Sequence, residues 1–288
     1  MVAVLLACVS ALLFGAMTVT LRLGLRRTPH AQLATLATIV PALVVALAAT
    51  AIEAGRSESL GLRHAWPFLL AGILAPGGSQ IFYTLAVRAA GPSRTSVAVG
   101  AAPLVSVVIA ILALGEPARA PLLGGAVLIV AGGVALLGEK ARPAHFRLVG
   151  LAYAGLAMTL FASRDNLVRR LSETAGVARP GVAAATTLLT GMLLALLWFA
   201  LARARPRASL HDWLAFAPAG LCFGLSYICL FEAFYRGRVT IVSPLVATES
   251  LWGVLLAALI LRGELVGRRL LLGAALVVAG GALIGVFR

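Results

Sequence analysis

The sequence predicts an all-α integral membrane protein with ten transmembrane helices, arranged as two inverted five-helix repeats. Three observations predict it: a very apolar composition, ten apolar runs of spanning length, and a repeat at an offset of 148 residues. Of 288 residues, 61% are hydrophobic and 12% are charged, and the mean hydropathy is +1.02. A soluble domain is roughly 45–50% apolar and about 25% charged. Too few polar residues remain to cover a water-facing surface, so the lipid bilayer is the expected environment.

The formal charge of +14 does not point to nucleic acid. The basic residues are scattered in short gaps between apolar runs and form no basic block. All but Lys140 are arginines, which together with the Ala, Gly, Leu and Val content suggests a GC-rich genome. Cys8, Cys222 and Cys229 lie inside apolar runs and read as small buried hydrophobes, with no disulfide or metal spacing. His30, His64, His145 and His211 fall in connecting segments and do not cluster. No cofactor and no metal are expected.

A spanning helix needs about 20 mostly apolar residues. Ten segments qualify: 2–21, 32–52, 66–87, 95–114, 121–138, 147–167, 182–202, 213–235, 240–261 and 270–287. The first lacks a basic n-region and is too long for a signal-peptide core, so it reads as a spanning helix. Arg, Pro and Gly fill the breaks, as in EAGRSESLGLRH and RARPRASLHD.

Residues 110–133 and 258–281 match at 12 of 24 positions. Gly115-Glu116 aligns with Gly263-Glu264, and Gly132-Gly133 with Gly280-Gly281. The same offset pairs Gly72 with Gly220 and Arg88 with Arg236, and an offset of 147 pairs Phe14 with Phe161 and Arg22 with Arg169. The unit therefore has five helices and occurs twice, over 1–140 and 146–288. Five is odd, so the second copy enters the membrane from the opposite side. Inverted repeats of this kind are typical of secondary transporters, whose substrate site lies near the midplane between the halves.

Orientation is less well determined. Gaps after the odd-numbered helices hold 14 Lys and Arg, against 10 in the other gaps and the C-terminal residue. By the positive-inside rule this favours an outside N-terminus, but repeat mates such as Arg88 and Arg236 fall on opposite sides and cancel.

Two five-helix halves, each with Gly-Glu closing its fourth helix and a Gly-rich fifth helix, resemble the drug/metabolite transporter superfamily, EamA type. The resemblance covers the whole chain and is nearest to bacterial amino acid exporters, aromatic amino acid exporters among them. It implies a multi-pass protein of the bacterial inner membrane with both termini cytoplasmic. It also implies a small-molecule substrate, an amino acid or related metabolite; the expected assembly is a monomer or homodimer.

The two copies serve as an internal control: a feature in both halves is demanded by the fold. Glu116 and Glu264 recur and read as structural, capping the next helix or pairing with Arg119, Arg268 or Arg269. The glycines of the fifth and tenth helices read as close helix packing, Gly281-xxx-Gly285 included. Glu249 has no counterpart, for its mate is Ala101. A charge at a helix centre costs roughly 2.5–3.5 kcal/mol on insertion scales, so it should face a partner or a wet cavity. Leu245, Glu249 and Trp252 follow i, i+4, i+7, with Pro244 just before them to break the backbone ladder. Two readings stand: a cavity-lining Glu that meets substrate or a proton, or a buried Glu hydrogen-bonded between helices.

In the third helix Pro76, Gln80 and Tyr83 share a face, with Ser79 beside them. Their mates are Gly224, Ile228, Phe231 and Tyr227. Pro76-Gly77-Gly78 should loosen this helix at mid-depth, which is tolerated where backbone lines a cavity. These residues are candidates for the pathway, with helix packing as the alternative. In FASRDNLVRR of the sixth helix, Arg164 and Asp165 read as markers of the helix end. Phe161 and Ser163 lie deeper and are the cavity candidates. There is no P-loop, no G-x-S-x-G, no H-E-x-x-H and no paired carboxylates at working spacing. The expectation is a non-enzyme transporter that is passive or coupled to an ion gradient. Its rivals are a multidrug or cationic-compound exporter and, from another class, a membrane-embedded enzyme or lipid-binding protein.

Overall fold

The structure is a computed structural model. It describes residues 2–55, 60–102, 104–105, 108–109, 120–137, 147–173, 178–201, 209–237, 242, 245–261 and 267–287. Glu116, Glu264, Arg119 and Pro244, named above, lie outside them. Every element among the described residues is helical.

The long helices form where the apolar runs are. α1 spans Val2–Arg27 and α2 Ala31–Ala54. The third run is not one regular helix. α3 (Trp66–Gly72) passes into a wider π-helical segment, Ile73–Gly78, and then into α4 (Ser79–Ala90). Pro76 supplies no N–H to the ladder, and Ala75 sits at an extended φ of −146° and ψ of 127°, so the helix loosens there. Gly91 takes φ 88°, a conformation that favours glycine, and turns the chain into α5 (Pro92–Val99), where Pro92 fits the first turn.

α6 spans Ala120–Leu137, α7 Val149–Glu173 and α8 Pro180–Ala200. α7 runs six residues past the expected 167, with Leu167, Val168 and Leu171 packing on the core. A short α9 (Leu210–Leu214) starts on a capping box: the Ser209 hydroxyl accepts from Asp212 N–H and the Asp212 carboxylate accepts from Ser209 N–H. α10 spans Ala217–Arg236, α11 Glu249–Ile260 and α12 Arg268–Phe287.

Among the described residues, five helical stretches are long and apolar enough to cross a membrane: Val2–Arg27, Ala31–Ala54, Trp66–Ala90, Pro180–Ala200 and Leu210–Arg236. The outer surface is also apolar. Leu259, Val127, Leu5 and Val44 are each more than half exposed. A water-facing surface does not carry this much exposed aliphatic area, whereas a lipid-facing one does. The protein is a multi-pass membrane protein.

Close helix contacts recur in matched sets. A Cβ on Gly72 would stand 2.5 Å from the Thr187 carbonyl oxygen, and one on Gly220 would stand 2.7 Å from that of Thr38. A Cβ on Gly132 would stand 2.8 Å from the Gly273 oxygen, and one on Gly280 would stand 2.5 Å from the Gly125 oxygen. These are the aligned positions of the sequence repeat, so α3 packs on α8 as α10 packs on α2, and α6 packs on α12 in antiparallel fashion. Only hydrogen at these positions lets the backbones meet.

Candidate functional site

The site grows out of how the helices run. α1 and α10 are antiparallel: the Gly237 position meets Ala3, and the Gly24 position meets Phe216. Two serines stitch them together. Ser10 Oγ donates to the Ser226 carbonyl at 3.0 Å, and Ser226 Oγ donates to the Ser10 carbonyl at 2.9 Å. α4 and α7 are also antiparallel, tied where Arg147 N–H donates to the Ala89 carbonyl at 2.7 Å. α11 runs alongside α1, with Trp252 and Gly253 against Gly15 and Ala257 against Val19.

Between α1, α5, α7, α10 and α11 lies a cavity of about 690 Å³, counting the open space at its mouth. Ser10 and Phe14 come from α1, Val99 and Gly100 from α5 and its end, and Phe161, Ala162, Arg164 and Asp165 from α7. α10 gives Ser226, Tyr227, Leu230 and Phe234, and the entry to α11 gives Val246, Ala247 and Glu249. Most of these residues lie toward the end of the bundle where α1 begins. The opposite end is closed by contacts. The Phe14 ring meets Phe161 edge-on at 5.7 Å and Tyr83 at 5.2 Å. The Tyr83 hydroxyl is hydrogen-bonded to Thr18. Further out, Arg22 Nη1 donates to the Arg88 carbonyl, Arg88 Nη1 to that of Pro29, and Thr28 Oγ1 to Asp212.

Among the described residues, three side chains of the acidic and basic kinds line the cavity: Arg164, Asp165 and Glu249. Arg164 is only 2% exposed. Its Nε lies 2.8 Å from Asp165 Oδ1. Its guanidinium carbon lies 4.6 Å from the centre of the Tyr227 ring, 5.8 Å from that of Phe231 and 5.9 Å from that of Phe161. Aromatic faces attract a cation, so this cage offsets part of the cost of burying it. The ion contact with Asp165 is not aligned as a hydrogen bond, and Arg164 Nε and Nη1 and the Tyr227 hydroxyl have no hydrogen-bond partner.

The candidates from the sequence fall into three places. Glu249, Phe161 and Tyr227 line the cavity. Tyr83 forms the aromatic layer beneath it. Ser79, Gln80, Pro76, Ser163 and Trp252 do not line it. Ser79 and Gln80 are fully buried, and Gln80 Nε2 points at Met17 Sδ, 3.9 Å away. Pro76 packs on Gly191 of α8. Ser163 donates to the Thr159 carbonyl of its own helix. Trp252 is 38% exposed, whereas Glu249, three residues earlier in α11, is buried. Arg164 and Asp165 do not mark a helix end: α7 continues to Glu173 and carries both into the cavity wall. Their lack of charged mates was the available signal, since Met17 and Thr18 occupy the aligned positions. The three cysteines are half-buried and free.

An apolar helical bundle that holds a cavity lined by polar and aromatic side chains defines a class, the multi-pass membrane protein. The EamA-like transporter family matches residues 1–138 and again residues 148–286, and the chain belongs to that family. It is a membrane transporter of small molecules. A solved structure described as "Crystal structure of protein" is similar in fold, with a TM-score of 0.71 and 23% identity over 98% of this chain and 94% of that one. No curated protein matches the chain.

Proposed function

We propose that this is a ten-helix secondary transporter of the bacterial inner membrane, exporting amino acids or related small metabolites through the cavity. Its halves, 1–140 and 146–288, act as inverted repeats that rock against each other to give alternating access. The recurrent glycine contacts support the repeat reading: Gly72 on Thr187 and Gly220 on Thr38, Gly132 on Gly273 and Gly280 on Gly125. The observation that carries the substrate reading is one cavity lined by Glu249, Arg164 and aromatic rings together. An α-amino acid brings an ammonium, a carboxylate and a side chain, which fit a carboxylate, a guanidinium and rings. The transporter works as a monomer or homodimer with both termini cytoplasmic, and it uses the membrane's ion gradient or none.

A second reading has its own observation. Two carboxylates face one guanidinium, so the wall with all three ionised is net negative and suits a cationic compound. The test is uptake into liposomes of labelled amino acids and cationic dyes, with and without a pH gradient. Saturable amino acid uptake supports the first reading; dye uptake alone replaces it with the second. Topology is tested by single cysteines at Ser57 and Ser209 on a cysteine-free background, labelled by an impermeant thiol reagent. Opposite sidedness is expected, and equal labelling from one side contradicts the inverted repeat.

A further inference from the structure

We infer that Arg164 is the carboxylate-recognising residue of the cavity and that Asp165 holds its place when no substrate is bound. The inference rests on the reading above, that amino acids bind in this cavity. Its own basis is Arg164. Burying a guanidinium to 2% exposure is costly in lost hydration unless its donors find acceptors. Here only part of that cost is met. The rings of Tyr227, Phe161 and Phe231 surround the cation, but rings accept no strong N–H bond. Asp165 touches Nε at 2.8 Å without alignment, and Nη1 faces no acceptor at all. A buried donor without an acceptor, on a side chain that lines a cavity, is one that a ligand's acceptor can satisfy.

The shape of the guanidinium selects the ligand. Guanidinium is planar and presents paired N–H donors that match the two oxygens of a carboxylate, which Lys does not. The aromatic cage fixes the plane of the group before the ligand arrives, so less side-chain freedom is lost on binding. A substrate carboxylate satisfies the free donor and displaces Asp165 from Nε. Glu249, which lines the same cavity, takes the ammonium. Asp165 is then a built-in competitor: it keeps the buried cation neutralised in the empty transporter and weakens every carboxylate ligand by the same amount.

The test compares purified parent, Arg164→Gln and Asp165→Asn for binding of phenylalanine and phenethylamine by ligand-induced thermal stabilisation in detergent. Phenethylamine keeps the ring and the ammonium and lacks the carboxylate. In Arg164→Gln, phenylalanine should weaken by roughly 30-fold or more, the loss typical of truncating one partner of a buried charge pair, while phenethylamine changes less than about threefold. In Asp165→Asn, phenylalanine should bind more tightly than in the parent. Equal weakening of both ligands in folded Arg164→Gln makes Arg164 structural and overturns the inference. Where Arg164→Gln does not purify folded, Asp165→Asn decides: tighter phenylalanine binding supports the assignment, and unchanged or weaker binding overturns it. A parent that binds no amino acid is a different result, for it removes the amino acid reading itself and the role of Arg164 with it.

Discussion

The helix contacts and the cavity wall treat the two halves of the chain differently. Gly72 and Gly220 admit the same kind of backbone contact, to the Thr187 and Thr38 carbonyls, as do Gly132 and Gly280 to Gly273 and Gly125. The cavity charges break that match. Glu249, Arg164 and Asp165 align with Ala101, Met17 and Thr18, so all three ionisable groups come from the second half. The first half contributes Phe14 and Ser10 to the wall and places Tyr83 and Thr18 in the layer below. What repeats serves packing, which both halves need. In the function proposed above, what does not repeat serves the ligand, which has no symmetry of its own.

Changing matched glycines gives the largest expected loss of stability and tests the match directly. Gly72→Ala and Gly220→Ala each force a methyl against backbone oxygen, and each should cost about 1–3 kcal/mol. Thermal unfolding in detergent should show losses of similar size for the two variants. A large loss at one position with none at the other would break the comparison.

A smaller effect is expected in the aromatic layer. Tyr83→Phe removes the hydrogen bond to Thr18 and should cost about 0.5–1.5 kcal/mol, with transport retained. The cavity tyrosine should behave in the opposite way. The Tyr227 hydroxyl is buried without a partner, so Tyr227→Phe should leave stability within about 0.5 kcal/mol of the parent. Its substrate KM should rise roughly 2- to 10-fold, as when a ligand loses one hydrogen bond. A stability loss without a change in KM would reassign Tyr227 to packing.

The smallest effect is expected on the third helix run. Single cysteines replacing Ser79 or Gln80 should stay inert to water-soluble thiol reagents, whereas a cysteine replacing Phe161 should react and be protected by substrate. Reactive cysteines at Ser79 and Gln80 would move the pathway toward α4 and the first half.

Much of the scaffold was legible because its causes are local and repeated. Apolar runs set where the long helices lie, and Gly at aligned positions marks where backbones meet. Glu249 was legible too, since a lone carboxylate among apolar residues stands out without any geometry. Other residues needed the three-dimensional path. Arg164 and Asp165 sit close to Arg169 and Arg170 in sequence, and only the continuation of α7 to Glu173 separates the cavity pair from the helix end. The Pro76, Gln80, Tyr83 face assumed regular helical spacing, and the π segment over Ile73–Gly78 leaves Pro76 on Gly191 of α8 while Gln80 and Tyr83 meet Met17 and Thr18 of α1. Ser10 and Ser226 had no signal at all, since each is one serine in an apolar helix and gains meaning only from the other, 216 residues away.

Transport by Glu249→Gln beside the parent in proteoliposomes tests the central claim most directly, namely that the unmatched charges of the second half handle the substrate. Gln keeps the shape and some hydrogen bonding of Glu and removes the charge. The variant should reconstitute at the parent's level, yet its amino acid transport should fall roughly 30-fold or more, the loss expected for one partner of a buried charge contact. Assay across pH 5.5–8.5 would also show whether the side chain carries a proton. Parent-like rates and a parent-like pH profile would contradict the account and leave Glu249 as a structural residue between helices.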